Sequence, residues 1–174
     1  MRYAVIYSSQ TGNTALLARR IQSVLAAQNC VFFGQPGDAL PEADLYLVGF
    51  WTDKGDCDPT LAQLLSLLGG KRVFLFGTAG FGRSPDYFAQ ILLRVQAHLA
   101  QDAVLTGSFM CQGKMPPSVR ERYEALLAAH PEDKRLNMLV ENFDAALAHP
   151  NDADLLRLDE ALRGAALREK GTSI

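Results

Sequence analysis

At 174 residues the chain is long enough for one domain with a sizeable core, and 48% apolar with 21% charged residues is the balance of a globular chain in water. A net charge of −2 without a basic run argues against nucleic acid as a partner, and no apolar stretch is long enough to span a bilayer. Cys30, Cys57 and Cys111 are odd in number and widely spaced, and His98, His130 and His149 are scattered, so the pattern reads as neither a disulfide framework nor a metal site and points to a reducing cytoplasm.

Short apolar runs alternate with helical patterns, which predicts an α/β chain with a parallel sheet. The first strand is expected over Arg2–Tyr7 and the first helix over Thr14–Ala27, with Leu17, Ile21, Val24 and Leu25 on one face. A short strand at Cys30–Phe33 ends at Gly34, Pro36 and Gly37, and a third strand follows at Leu45–Gly49. Pro59, a favoured first-turn residue, opens a helix that stops at Gly69-Gly70. Val73–Gly77 is apolar throughout, as a central strand covered on both faces should be. Pro85 opens the next helix, with Phe88, Ile91, Leu92, Val95 and Leu99 inward, and Val104–Phe109 makes the fifth strand. Helices are then expected over Ser118–Ala129, Glu132–Leu147 and Asp152–Leu167.

The most informative stretch is Ser9-Gln10-Thr11-Gly12-Asn13-Thr14, between the first strand and the first helix. A helix start presents unpaired N–H groups at the positive end of its dipole and so attracts anions. Gly12 permits close approach of the backbone, and the Ser9, Thr11 and Thr14 hydroxyls are potential donors. No Lys or Arg lies in the run, so it is not the loop that grips a triphosphate with magnesium. Uncharged donors suit a phosphate monoester held permanently; the plain alternative is an ordinary helix cap.

This run resembles the flavodoxin signature (Thr/Ser)-x-Thr-Gly-x-Thr, in the family's position at the end of strand one. The resemblance implies a flavodoxin-like three-layer sandwich with a five-stranded parallel sheet in the order 2-1-3-4-5. The ligand then sits outside the carboxyl ends of the strands. It implies a single domain over residues 1–174, with helical extensions at about 113–130 and 151–170. The family's cofactor is FMN, whose ribityl phosphate the signature would bind through Ser9, Gln10, Thr11, Gly12, Asn13 and Thr14. The family holds the flavin ring in the loops after strands three and four, here Trp51, Thr52, Asp53, Lys54 and Gly55, and Thr78, Ala79, Gly80, Phe81 and Gly82. Trp51 falls where a stacking ring is expected, the alternative being a core Trp. Phe81 is a candidate for the other face with Tyr87 as a rival. Gly55 is either a turn glycine or a residue whose peptide flips toward flavin N5.

Six acidic residues between Asp38 and Asp58 stand against Lys54 alone, which would place negative charge beside the flavin and favour a low potential. The function so implied is an FMN-binding electron carrier between a reductase donor and an acceptor enzyme, with no metal and no catalytic residue of its own. The competing reading is a quinone or protoporphyrinogen oxidoreductase on the same fold, with residues 112–130 shaping a substrate pocket. Gly107–Lys114 and the helical tail are similar to a flavodoxin-domain subgroup of which one member accompanies bilirubin reductase. The last helix is expected to pack on the core rather than serve as a docking arm.

Overall fold

The computed structural model describes residues 1–82 and 84–170, the side chains of 166–170 excepted. Five strands, β1 (Tyr3–Tyr7), β2 (Cys30–Gly34), β3 (Leu45–Trp51), β4 (Arg72–Ala79) and β5 (Val104–Gln112), form one parallel sheet in the order β2-β1-β3-β4-β5. The helices are α1 (Asn13–Val24), α2 (Pro59–Ser66), α3 (Pro85–Gln96), α4 (Pro117–Ala129), α5 (Lys134–Ala146) and α6 (Asp152–Lys170). Among the described residues no helix is long and apolar enough to cross a membrane.

Alternation along the strands divides the core between the two faces of the sheet. Ile6, Tyr46, Val48, Phe50, Val73 and Leu75 pack with Leu61, Leu65, Ile91 and Val95 of α2 and α3. Val5, Leu47, Phe74 and Phe76 pack with Leu17 and Ile21 of α1 and with Leu158 and Leu162 of α6. Two glycines let the large rings lie flat. Gly49 pairs with Phe76 and Gly77 pairs with Phe50 across β3 and β4, each phenyl ring covering the neighbouring glycine on opposite faces of the sheet.

β3, β4 and β5 run two to three residues beyond the expected ends because each continues to pair with its neighbour: Trp51 with Thr78, Thr78 with Cys111 and Ala79 with Gln112. The expected loop residues Trp51, Thr78 and Ala79 are therefore strand ends, positioned by ladder hydrogen bonds. Helix starts follow their caps: Asp58, Ser84 and Asp133 each accept from backbone N–H groups of the first turn of α2, α3 and α5.

The tail departs from expectation in one respect. The helix lying on β5 and α1 is α6, while α5 pairs with α4. α6 takes the flank of the sheet, as its packed reading required. Its docking is directional: the Arg20 guanidinium of α1 donates to both oxygens of the buried Asp159 carboxylate. Asp154, also buried, accepts from the Asn151 N–H and holds His149 and Arg157.

Candidate functional site

At the carboxyl edge of the sheet the β1–α1 turn meets the ends of β3, β4 and β5. Gly12 is the N-cap of α1 at φ 86°, a left-handed conformation that glycine adopts without penalty, and no atom lies within 4 Å of where a Cβ would stand. Gly12 has no side chain with which to cap this helix, in contrast with the N-cap residues of α2, α3 and α5. Asn13 Nδ2 donates to Thr11 Oγ1 (2.7 Å) and to the Lys114 carbonyl (2.8 Å), tying the turn to the segment that follows β5. A Cβ on Gly113 would meet the Asn13 side-chain amide at 2.6 Å, so the Gly113 backbone packs directly against that side chain.

Two adjoining cavities open here. The first, about 130 Å³, lies between Gln10, Thr11 and Asn13 on one side and Lys114, Met115 and Pro116 on the other, with Trp51 and Thr78 in its wall. The second, about 400 Å³, is walled by Lys54, Gly55, Phe81, Tyr87 and Arg94. Thr52, Gly80 and Met115 border both, so the two form one trough.

The predicted residues do not all face it. Gln10, Thr11, Asn13, Trp51, Thr52, Thr78, Ala79 and Gly80 line the first cavity, and Thr52, Lys54, Gly55, Gly80 and Phe81 line the second. Ser9 Oγ instead accepts from the Ala15 N–H at 3.3 Å, inside the first turn of α1. The Thr14 hydroxyl is turned inward: it is fully buried, 3.0 Å from Thr78 Oγ1 and 3.3 Å from the Phe50 carbonyl, so it braces α1 against the strand ends. Asp53 is exposed and Gly82 packs against Gln112, away from either cavity. Trp51 borders the smaller cavity and donates from Nε1 to Ser8 Oγ (3.2 Å), whereas the rings in the larger one are Phe81 and Tyr87, edge to face at 6.3 Å.

Gly55 lies in a tight turn. Asp53 and Asp56 exchange backbone hydrogen bonds (2.8 and 2.9 Å), and Lys54 (φ 49°) and Gly55 (φ 86°) both take positive φ, as primed hairpin turns require. The Arg94 guanidinium donates to the Gly55 carbonyl at 3.4 Å. The loop after β4 is held from behind: Gly80 O accepts from Gln112 Nε2 (2.9 Å) and Asn142 Nδ2 (3.0 Å), which links α5 to the trough.

The expected negative charge at this edge is corrected by the structure. Among the described residues no carboxylate lines either cavity, whereas Lys54, Arg94 and Lys114 do. Four of the six acidic residues have partners elsewhere: Asp44 accepts from the Arg2 N–H, Glu42 pairs with Arg2, Asp58 caps α2 and Asp56 binds His98, while Asp38 and Asp53 are exposed. Gly113, Met115 and Pro116 are expected at a pocket only in the competing enzyme reading, through residues 112–130, and Arg94 is expected in no wall. The signal available for the first three was the apolar continuation of β5 to Cys111, which carries the next residues to the carboxyl edge.

Burial raises the Tyr87 hydroxyl, with Arg94 opposing it. Burial alone would raise Asp56, but the His98 ring and the Cys57 amide hold its carboxyl below the ordinary value. Cys57 is pushed up to about 12 by burial and by the Asp56 and Asp58 charges, and Cys111 is raised mainly by burial. Both thiols are thus expected to resist alkylation near neutral pH in the native protein and to react only after denaturation. Mass-spectrometric mapping with iodoacetamide checks this, and native-state labelling of either at the rate of a free thiol would contradict it.

A family model for the flavodoxin domain matches residues 4–163. The chain is 41% identical over 172 residues to the flavodoxin-like domain-containing protein BilS of Clostridium symbiosum, spanning 89% of this chain and 90% of that one. It is 28% identical over 159 residues to the protein of the same name in Clostridioides difficile, with the same shares covered. Among solved structures, the two-electron reduced flavodoxin of Megasphaera elsdenii is similar at 24% identity, with a TM-score of 0.45, covering 68% of this chain and 91% of that one. With the family model matching all five strands and the signature turn, this chain belongs to the flavodoxin domain family.

Proposed function

We propose that the chain holds FMN in the trough at the carboxyl edge of its sheet and carries electrons from a reductase to an acceptor oxidoreductase in the cytoplasm. The observation that carries the reading is the order of chemistry along the trough. At one end are the start of α1, with Gly12 in its left-handed conformation, and the polar Gln10–Asn13 turn; at the other is a roomier cavity with Phe81 and Tyr87. A phosphate monoester suits the first end, where the helix start offers backbone N–H donors and the N-cap, Gly12, has no side chain of its own to occupy them. A planar heteroaromatic ring suits the second, whose volume is in the range of cofactor pockets. FMN, when bound, supplies one- and two-electron transfer. The residues of the trough would hold it: Met115 borders both cavities, and Lys54, Arg94 and Lys114 would supply positive charge. Similarity of the Gly107–Lys114 segment to the bilirubin-reductase-associated subgroup, together with the 41% identical BilS, makes a tetrapyrrole reductase the acceptor class to test first.

Adding FMN to flavin-free protein is expected to turn it yellow and raise its melting temperature. At a hundredfold excess over the dissociation constant the stabilisation is about 2.7 kcal/mol, or roughly 5–11 °C for a chain of this size. A colourless protein with an unchanged melting temperature would sink the reading.

Met115, Lys114 and Pro116 over the same trough support a second reading, an FMN-dependent quinone- or protoporphyrinogen-type oxidoreductase. Rapid NAD(P)H oxidation with direct two-electron bleaching would favour it. Stepwise reduction by one electron at a time would favour the carrier.

A further inference from the structure

Outside the trough, one group of side chains has a composition that packing alone does not demand. Asp56 and Cys57 follow the Lys54-Gly55 turn, and His98 lies just beyond the last turn of α3, 42 residues from Asp56. The fold brings one ligand atom from each to within 4.8 Å of the others, the only such trio of His, Cys, Asp or Glu among the described residues. His98 Nε2 is 3.1 and 3.0 Å from the two Asp56 oxygens. Cys57 is 8% exposed, while the Asp56 and His98 side chains are about one-third exposed. The cluster therefore has a closed side at the sulfur and an open side toward solvent.

We propose that Asp56, Cys57 and His98 form a site for a divalent metal ion of the zinc class, with water completing a four-coordinate shell. A thiolate, an imidazole and a carboxylate together suit zinc or cobalt, whereas magnesium and calcium take oxygen ligands throughout. A separation of 3.0 Å between the His98 nitrogen and a carboxylate oxygen is already compatible with both bound at about 2.0–2.1 Å to one ion. The sulfur lies within 4.8 Å of the other two ligand atoms and has to close by a fraction of that separation. The Asp56 and Asp58 carboxylates place negative charge beside the sulfur, which a cation offsets. On binding, the ion replaces the proton on Cys57 sulfur, which leaves to solvent. His98 would bind through Nε2 as the neutral imidazole with its proton on Nδ1, and the thiol contributes one released proton per ion. Because Asp56 closes the turn carrying Lys54 and Gly55, an ion here also pins one wall of the trough.

The test is titration of purified, reduced full-length protein with Co²⁺, followed by difference absorption against the metal-free sample. The expected result is one equivalent bound with a thiolate-to-cobalt charge-transfer band, reversed by Zn²⁺ and accompanied by release of about one proton. Cys57→Ala should abolish the band, and the surface variant His98→Gln should weaken binding at least tenfold. Cys30→Ala should leave both unchanged. Absence of a charge-transfer band, or Co²⁺ binding as tight in His98→Gln as in the native chain, would overturn the proposal. Neither outcome depends on whether the trough holds a flavin.

Discussion

Replacing Gly77 with alanine is expected to cost about 3 kcal/mol, the upper part of the range for inserting volume into a packed core. For a chain of this length that lowers the melting temperature by roughly 6–12 °C. A Cβ at this position would lie within 2.8 Å of three atoms of the Phe50 ring. Phe50 is fully buried at the heart of the α2–α3 face, so its ring has no room to withdraw. The effect is therefore specific to one pair. Phe50→Leu alone should cost about 1 kcal/mol, and in the double variant the leucine should relieve part of the clash, so that the combined loss falls short of the sum. A double-mutant cycle by chemical denaturation reads the coupling. Strict additivity would show that the ring over Gly77 is not the source of the cost.

The second large effect is electrostatic. Replacing Arg94 with glutamine is expected to weaken binding of reduced FMN about tenfold relative to oxidised FMN, equivalent to a fall of 59 mV in a one-electron potential. Arg94 lines the larger cavity and bonds the Gly55 carbonyl, and among the described residues no carboxylate shares that wall. A ring that gains negative charge on reduction is stabilised by a cation nearby, and because Arg94 is exposed the effect should shrink as salt is added. Lys114→Gln, at the smaller cavity, should instead weaken oxidised and reduced forms more evenly. Redox titration with FMN bound separates the two. An unchanged potential in the Arg94 variant would refute the charge argument while leaving flavin binding intact; failure of the native chain to bind FMN would refute the function proposed above.

The correction at Arg94 shows where sequence reading stops. Between Asp38 and Asp58 the acidic residues outnumber Lys54 six to one, and counting along the chain placed that charge beside the flavin. In the structure each of Asp44, Asp56 and Asp58 is turned to a backbone N–H or a histidine, and the cationic partner arrives from α3, which the count never included. Thr14 teaches the same lesson at smaller scale. Its place in the signature was legible, but the direction of its hydroxyl depends on Thr78, 64 residues away.

Local periodicity and turn chemistry alone determined the α/β alternation, the helix starts at Pro59 and Pro85, and the Ser9–Thr14 turn ahead of α1. Each depends on residues within one strand or one helical turn, and the signature turn was enough to carry the family resemblance and with it the strand order. Only the tertiary structure decided that α6 rather than α5 covers β5, that Gly113–Pro116 overhangs the trough, which charges face it, and that Cys57 meets His98. Those outcomes are set by strand register and by how helices settle on the sheet. Both are sums over many weak contacts between distant segments, and no short window of the chain contains them.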